Sequence, residues 1–169
     1  MADERWRPSV TVAAVVEHGG RYLLVEEHTP EGLRLNNPAG HLDPGESLVE
    51  GVVRETLEET ARIFTPQALV GVYLARFVRP RRADGAQDED ITYLRFAFCG
   101  EVGEMIAGRA LDAPVVRTLW LAPEEVEARR DDWRSPLVGR CIADHRAGRR
   151  FALDVVQFDP GLMAPIVLR

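Results

Sequence analysis

Hydrophobic positions along this chain follow two periods. Residues 10–16 (VTVAAVV) form a continuous apolar run of the length that suits a strand covered on both faces. Residues 21–26 (RYLLVE) return after His18-Gly19-Gly20 as the second arm of a hairpin. Residues 28–37, with Pro30, Gly32 and a pair of asparagines, predict a loop with a short strand near 33–35. Residues 68–78 (ALVGVYLARFV) and 91–102 (ITYLRFAFCGEV) are rich in β-branched and aromatic residues and predict two strands. The polar stretch RPRRADGAQDED between them, with Asp84-Gly85 at its tip, is read as a solubilising loop, with a lid or specificity loop as the alternative. A strand is expected over 115–121 (VVRTLWL), a short helix from Pro123, a longer helix over 137–147, and a last short strand over 151–158 (FALDVVQF). The ends, 1–8 and 160–169, read as irregular tails.

Between these strands lies a helical stretch, 40–62 (GHLDPGESLVEGVVRETLEETAR), opened by a Gly/Pro-rich turn at Gly40. Ser47 and Glu50 have the spacing of a capping box. The helix is expected to stop near Thr60 or Ala61, because Ile63, Phe64, Thr65 and Pro66 favour an extended exit. Glu55, Glu58 and Glu59 are related by i, i+3 and i+4, so their carboxylates leave neighbouring points of one face. On a wheel of about 100° per residue, Leu48, Val49, Val52 and Thr56 span an arc of about 100°, with Glu59 inside it at about 20° from Val52, Glu55 near its edge at about 60° and Glu58 at about 120°. A glutamate run ordinarily forms a solvated helix face. Here at least two carboxylates share the side turned toward the core, where an uncompensated charge is costly. They call for a metal, a basic partner or a water-filled cleft, and a hard cation such as Mg²⁺ takes oxygen ligands of this kind.

Composition narrows the class. The 169 residues, 46% hydrophobic and 28% charged, fit one ordinary globular domain spanning 1–169. A net charge of −6 argues against a general nucleic-acid binder, while leaving room for a nucleotide received by a metal or a local basic pocket. Cys99 and Cys141 read as isolated thiols, and His18, His28, His41 and His145 form no zinc-ligand pattern. The N-terminus MADERWRPSV has no apolar signal region, and no apolar run approaches the roughly 18 residues of a membrane span, so the expectation is a cytoplasmic protein with no membrane partner.

Gly40, Glu46, Arg54-Glu55 and Glu58-Glu59, six positions at fixed spacing in a turn-then-helix context, resemble the Nudix box. VTVAAVV, NPAGHLDPGESLVE, YLRFAF, LWLAPEEV and WRSPLVGRCIADHRAG extend the likeness over residues 9–158, and are most similar to the NudJ-type phosphatases of that family. The resemblance implies an α/β (α+β) Nudix fold, a mixed β-sheet sandwiched between helices. It implies a hydrolase of small-molecule phosphoanhydrides, not of nucleic acid polymers, working as a monomer or homodimer. NudJ-like members release orthophosphate from nucleoside di- and triphosphates and from hydroxymethylpyrimidine or thiamine diphosphate. An ADP-ribose or dinucleotide pyrophosphatase is the alternative, and a non-catalytic nucleotide sensor on the same fold is a reading of another class. Carried onto this chain, Glu55, Glu58, Glu59 and the Gly40 carbonyl would hold Mg²⁺, or Mn²⁺ as a substitute. Arg54 would orient a box glutamate, Glu46 would support Arg54, and Glu55 is the first choice for activating water, with Glu58 also in the catalytic set.

Three departures stand out. Ala61 occupies a position where the box usually has Gly, and a left-handed helix stop there would cost Ala on the order of 1 kcal/mol. Thr56 and Arg62 replace usual apolar residues. An acidic residue before Trp120 is common in the family, and here Asp112, Asp88, Glu89 and Asp90 are the candidates. Tyr93, Phe77 and Phe96 are read as strand-core packing, with stacking on a substrate ring as the alternative.

Overall fold

A computed structural model of the chain describes residues 6–79 and 88–163. Among them, seven strands run in one mixed sheet: β1 (Ser9–His18), β2 (Arg21–Thr29), β3 (Gly32–Asn36), β4 (Ala39–His41), β5 (Phe64–Arg79), β6 (Glu89–Val102) and β7 (Val115–Leu121). Three α-helices, α1 (Leu48–Thr60), α2 (Pro123–Ala128) and α3 (Leu137–Arg146), complete the α+β architecture.

β1 explains the shape of the sheet. It pairs in parallel with β6 from Ser9 to Val16, antiparallel with β4 at Thr11–Ala13, and with β2 only at Glu17 and His18. One arm of the sheet is therefore β4-β1-β6-β5, and the other is β3-β2-β7, reached through the end of β1. The arms diverge along most of β1, and the space between them becomes the cavity described below.

The continuous apolar run of β1 reflects burial on both faces. Val12, Ala14 and Val16 pack with Val52 of α1, Leu23, Leu69 and Phe98. The alternate residues Ala13 and Val15 pack with Val138, Cys141 and Ile142 of α3. The sheet is thus sandwiched between α1 and α3, as the family resemblance implied. A fully buried Phe98 or Leu23 contributes roughly 1.5–3 kcal/mol through removal of apolar surface from water.

Four expectations change. Residues 39–41 form a short strand where the sequence suggested only a turn, because their backbone pairs with Thr11, Val12 and Ala13, and the turn falls at Pro44-Gly45. The extended exit after α1 is already the start of β5. Residues 151–158 make no strand: Phe151 forms an isolated bridge with Leu69, and Leu153–Val155 is a 3₁₀ turn whose Leu153 packs against the α1-side core with nearby Val156. Pro160–Met163 is a further 3₁₀ turn inside the stretch read as tail. The loop reading at Arg81, Arg82, Asp84 and Gly85 lies outside the described residues.

The β5–β6 pairing is bulged at Pro66/Ala68, which accommodates the proline within the ladder. Gly100, opposite Pro66, is required there because a Cβ would collide with the carbonyl oxygen of Thr65, a backbone atom that cannot swing away. Gly100→Ala is expected to lower unfolding stability by about 1–3 kcal/mol, the range for overpacking. Urea unfolding monitored by circular dichroism checks this, with an unchanged midpoint counting against the close approach.

Candidate active site

Helix α1 begins as its sequence dictates. Ser47 Oγ accepts from the Glu50 N–H at 3.2 Å, and the Glu50 carboxylate accepts from the Ser47 N–H at 2.8 Å. Its other end is closed by Ala61 in the left-handed region, φ 53°, whose N–H donates to the Leu57 carbonyl. Thr56 is tolerated in the core because its hydroxyl donates to the Val52 carbonyl at 2.7 Å. Arg62 donates to the Gly103 carbonyl at 2.8 Å and lies over the Trp120 ring.

Nearly two turns into the helix, Arg54 gathers the acidic residues. Its Nε and Nη2 donate to the two Glu46 oxygens at 2.9 and 2.7 Å, a paired geometry that fixes the guanidinium plane. Nη1 donates to Glu55 at 2.8 Å and to Glu58 at 3.0 Å. Nη2 also reaches the His41 carbonyl of β4 at 3.0 Å, tying the helix to the strand that carries Gly40. The Arg54 hydrogen bond is the main cause holding Glu46 below the usual carboxylate range. Burial pushes Glu55 the other way, above that range, although Arg54 opposes the shift.

Gly40 explains itself by contact. A Cβ there would occupy the space of the Glu55 carboxyl group, so only glycine lets that carboxylate lie against the β4 backbone. Glu59, on the side of α1 that also buries Val52 and Thr56, is only 8% exposed and accepts one hydrogen bond from the Ala39 N–H at 2.8 Å. Burial raises its pKa to about 8, with the Glu27 and Glu55 charges adding to the shift.

Glu55, Glu59 and Gly40 line one end of a cavity of about 700 Å³ between the arms of the sheet. Arg54, Glu46 and Glu58 are not among its lining residues; they form the ion-pair layer behind Glu55. Among the described residues no three acidic, histidine or cysteine side chains converge as a ready-formed metal cluster. Glu55 and Glu58 each turn one oxygen to Arg54, and Glu59 turns one to Ala39. The donor chemistry nevertheless suits a hard divalent cation: carboxylate oxygens and a backbone carbonyl from neighbouring points, with a buried carboxylate whose pKa stays raised despite the Ala39 N–H and the Arg95 charge.

Of the acidic candidates outside the helix, Asp112, Asp88 and Asp90 do not join the described cavity lining. Asp112 is exposed, and its N–H donates to the Glu58 carbonyl at 2.9 Å, which anchors its loop to α1 through backbone. Asp88 is exposed, and Asp90 is paired with Arg76 at 2.6 Å on the surface. The Glu89 side chain lies outside the described residues.

The sequence did not single out Thr11, Glu27, Asn36 and Arg95, all of which line the cavity and are buried. Glu27 follows the point where the β2–β7 register shifts, and such irregularities re-aim side chains. The available signal was a charge or amide inside an apolar run, as in Arg95 within YLRFAF. Phe77 and Tyr93, read as core, line the cavity in an edge-to-face pair with centroids 5.6 Å apart, whereas Phe96 packs against the α1-side core.

With this geometry in hand, the chain is comparable to known proteins. A family model described as NUDIX domain matches residues 5–140. The chain is 32% identical over 151 residues to phosphatase NudJ of Escherichia coli (strain K12), covering 89% of this chain and 92% of that protein. Phosphatase NudJ of Shigella sonnei gives the same identity and coverage. Among solved structures, a NUDIX hydrolase from Nitrosomonas europaea aligns with a TM-score of 0.80 at 44% identity, covering 92% of this chain and 99% of that one. An ADP-ribose pyrophosphatase from Streptococcus suis shares the fold at 16% identity, with a TM-score of 0.58 over 85% of this chain and 93% of that one.

The raised pKa of Glu59 has a consequence for stability. Between the ordinary carboxylate value near 4.5 and the folded value of about 8, the folded protein binds this proton and the unfolded chain does not. Stability therefore falls as pH rises through that window. With chelator present, the Glu59 contribution is expected to lower unfolding free energy by up to roughly 4 kcal/mol from pH 4.5 to 8. Glu59→Gln is expected to flatten that slope. Chemical denaturation across the pH range measures both, and parallel slopes for the two proteins would contradict the assignment.

Proposed function

The chain belongs to the NUDIX family of hydrolases, and on that premise we propose that it hydrolyses a phosphoanhydride bond of a nucleoside di- or triphosphate or a thiamine-related diphosphate, releasing orthophosphate. The observation that carries this reading is the placement of Glu55 against Gly40 by Arg54, with Glu59 beside it at the inner end of a substrate-sized cavity. NudJ phosphatases as relatives along most of the chain favour orthophosphate release. The pyrophosphatase likeness, at 16% identity, speaks for the fold alone.

Members of the family generally use divalent metals. In this chain Glu55, Glu58, Glu59 and the Gly40 carbonyl would hold Mg²⁺, with Mn²⁺ as a substitute. The ion would neutralise phosphate oxygens and make a bound water more acidic. Arg54 gathers Glu55 and Glu58 along one edge of the helix. Glu46 fixes the plane of Arg54. Glu55, whose carboxyl burial raises its proton affinity, is the group placed to take a proton from the attacking water. Transition-state charge spreads over the phosphoryl oxygens, so fixed positive charge at that end is the main requirement.

A panel of nucleoside di- and triphosphates, thiamine diphosphate and ADP-ribose, incubated with Mg²⁺ and resolved into products, tests the assignment. Orthophosphate is the expected product. Nucleoside monophosphate with sugar phosphate as the sole products would overturn it in favour of the pyrophosphatase reading. Glu59→Gln is expected to lower metal-dependent turnover by about 10²-fold or more while retaining the far-ultraviolet circular dichroism of the parent, the scale of losing one electrostatic stabiliser. Unchanged turnover would remove Glu59 from the metal site.

A further inference from the structure

Two guanidiniums line the cavity without a close acidic partner. Arg34 lies on β3, directly opposite Glu27 of β2 in the antiparallel pairing, so the two side chains leave the same face of the sheet. Among the described residues its one side-chain hydrogen bond runs from Nη2 to the Glu31 carbonyl at 3.3 Å. Arg134 reaches the same cavity from the turn before α3. Its N–H donates to the Leu35 carbonyl at 2.8 Å, and Trp133 bridges Leu35 in parallel, so residue 134 is stitched beside the strand that carries Arg34. Its Nε lies 3.9 Å from the Glu27 carboxylate, beyond hydrogen-bond reach. By contrast, Arg21, Arg76, Arg117, Arg129 and Arg130 each lie 2.6–2.8 Å from a carboxylate.

This placement suits an anionic group on the ligand. Both arginines are half-buried, which strengthens their field relative to open water while leaving them in the cavity wall. Glu27 links them to the acidic end: it stands beside Arg134, takes a hydrogen bond from Asn36 at 3.3 Å, and acts electrostatically on Glu59. A phosphoryl group carries about 1.5–2 negative charges and three acceptor oxygens, which guanidinium forks match in pairs. A divalent cation among Glu55, Glu58 and Glu59 has three carboxylates to offset besides the phosphoryl group under attack. A second phosphoryl group on the same substrate therefore needs positive charge from the chain itself.

We propose that Arg34 and Arg134 form a subsite for the phosphoryl group adjoining the one that is cleaved, selecting substrates with a chain of at least two phosphates. The proposal rests on the phosphohydrolase reading for placing the cleaved group at Glu55 and Glu59. Water attacks the terminal phosphorus and gives up a proton to Glu55. The anhydride P–O bond breaks, and its electron pair stays on the bridging oxygen, which departs with the adjoining phosphoryl group. Arg34 and Arg134 hold that group and offset the charge it gains.

Inorganic pyrophosphate, titrated calorimetrically with chelator present, reports the arginines alone, because the acidic end repels anions when no metal is bound. Arg34→Met and Arg134→Met are each expected to weaken its binding by about tenfold, the scale of losing hydrogen bonds to a charged group. Arg21→Met, at the far end of β2, removes the same charge and is expected to leave the affinity within about twofold. With Mg²⁺, each cavity variant is expected to lower kcat/KM for the best di- or triphosphate substrate by about 10²-fold, since leaving-group charge is also affected. The two positions lie on different elements, so Arg34→Met tests the subsite even where Arg134→Met, beside the buried Ser135, fails to fold. Pyrophosphate affinity unchanged in the cavity variants, or lowered equally in Arg21→Met, would overturn the subsite; continued hydrolysis would then leave the phosphohydrolase reading standing. Arginine-dependent pyrophosphate binding without hydrolysis of any phosphoanhydride would support the subsite and overturn the hydrolase reading.

Discussion

The arrangement depends on one cation among acids. Arg54 meets Glu46, Glu55 and Glu58 and has Asp43 at 3.7 Å. These groups are partly buried, and the cost of desolvating them offsets much of their attraction, so stability is a weak explanation for the cluster. Position is a better one. Without Arg54, carboxylates at i and i+3 on one helix repel and spread; with it, both are gathered on the edge of α1 nearest β4. The hydrogen bond to the His41 carbonyl extends that order to the strand that holds Gly40, and the strand is registered in turn by β1.

The same logic of strand registration builds a second wall of the cavity. Along β6, residues 91, 93 and 95 face the cavity, while Phe96 and Phe98 face the α1-side core. One strand therefore supplies a core wall and a cavity wall by alternation alone. Because β1 pairs with β6 over its first eight residues and with β2 only at its end, the arms part where these cavity-facing residues lie. The cavity is a consequence of sheet topology before it is a matter of particular side chains.

Much of this was legible in the sequence. The capping box, the helix limits and the burial of Glu59 follow from spacing, since a helix wheel needs only the chain's own periodicity. The family resemblance carried the mixed sheet between helices. Legibility failed where long-range pairing decides. Residues 39–41 look like a turn until β1 pairs with them, and Phe151 looks like a strand although it makes one bridge. Arg95 looks like an outward charge in an apolar strand, because alternation alone does not reveal that its face opens onto a cavity and not onto water or core. Ala61 was legible in the opposite sense: the local penalty was visible, and the fold accepts it, with the residue left-handed and fully buried.

Two buried charges then share a physical problem. Burial raises the proton affinity of Glu59 and lowers that of Arg95, so each is drawn toward its neutral form by the same exclusion of water. Their mutual attraction offsets part of this, but Glu27 leaves the acid side in excess. A cation bound at Glu59 would relieve that excess of negative charge. The unfavourable groups are confined to the cavity walls, whereas the capped helix and the two-faced core of β1 hold the frame that keeps them there.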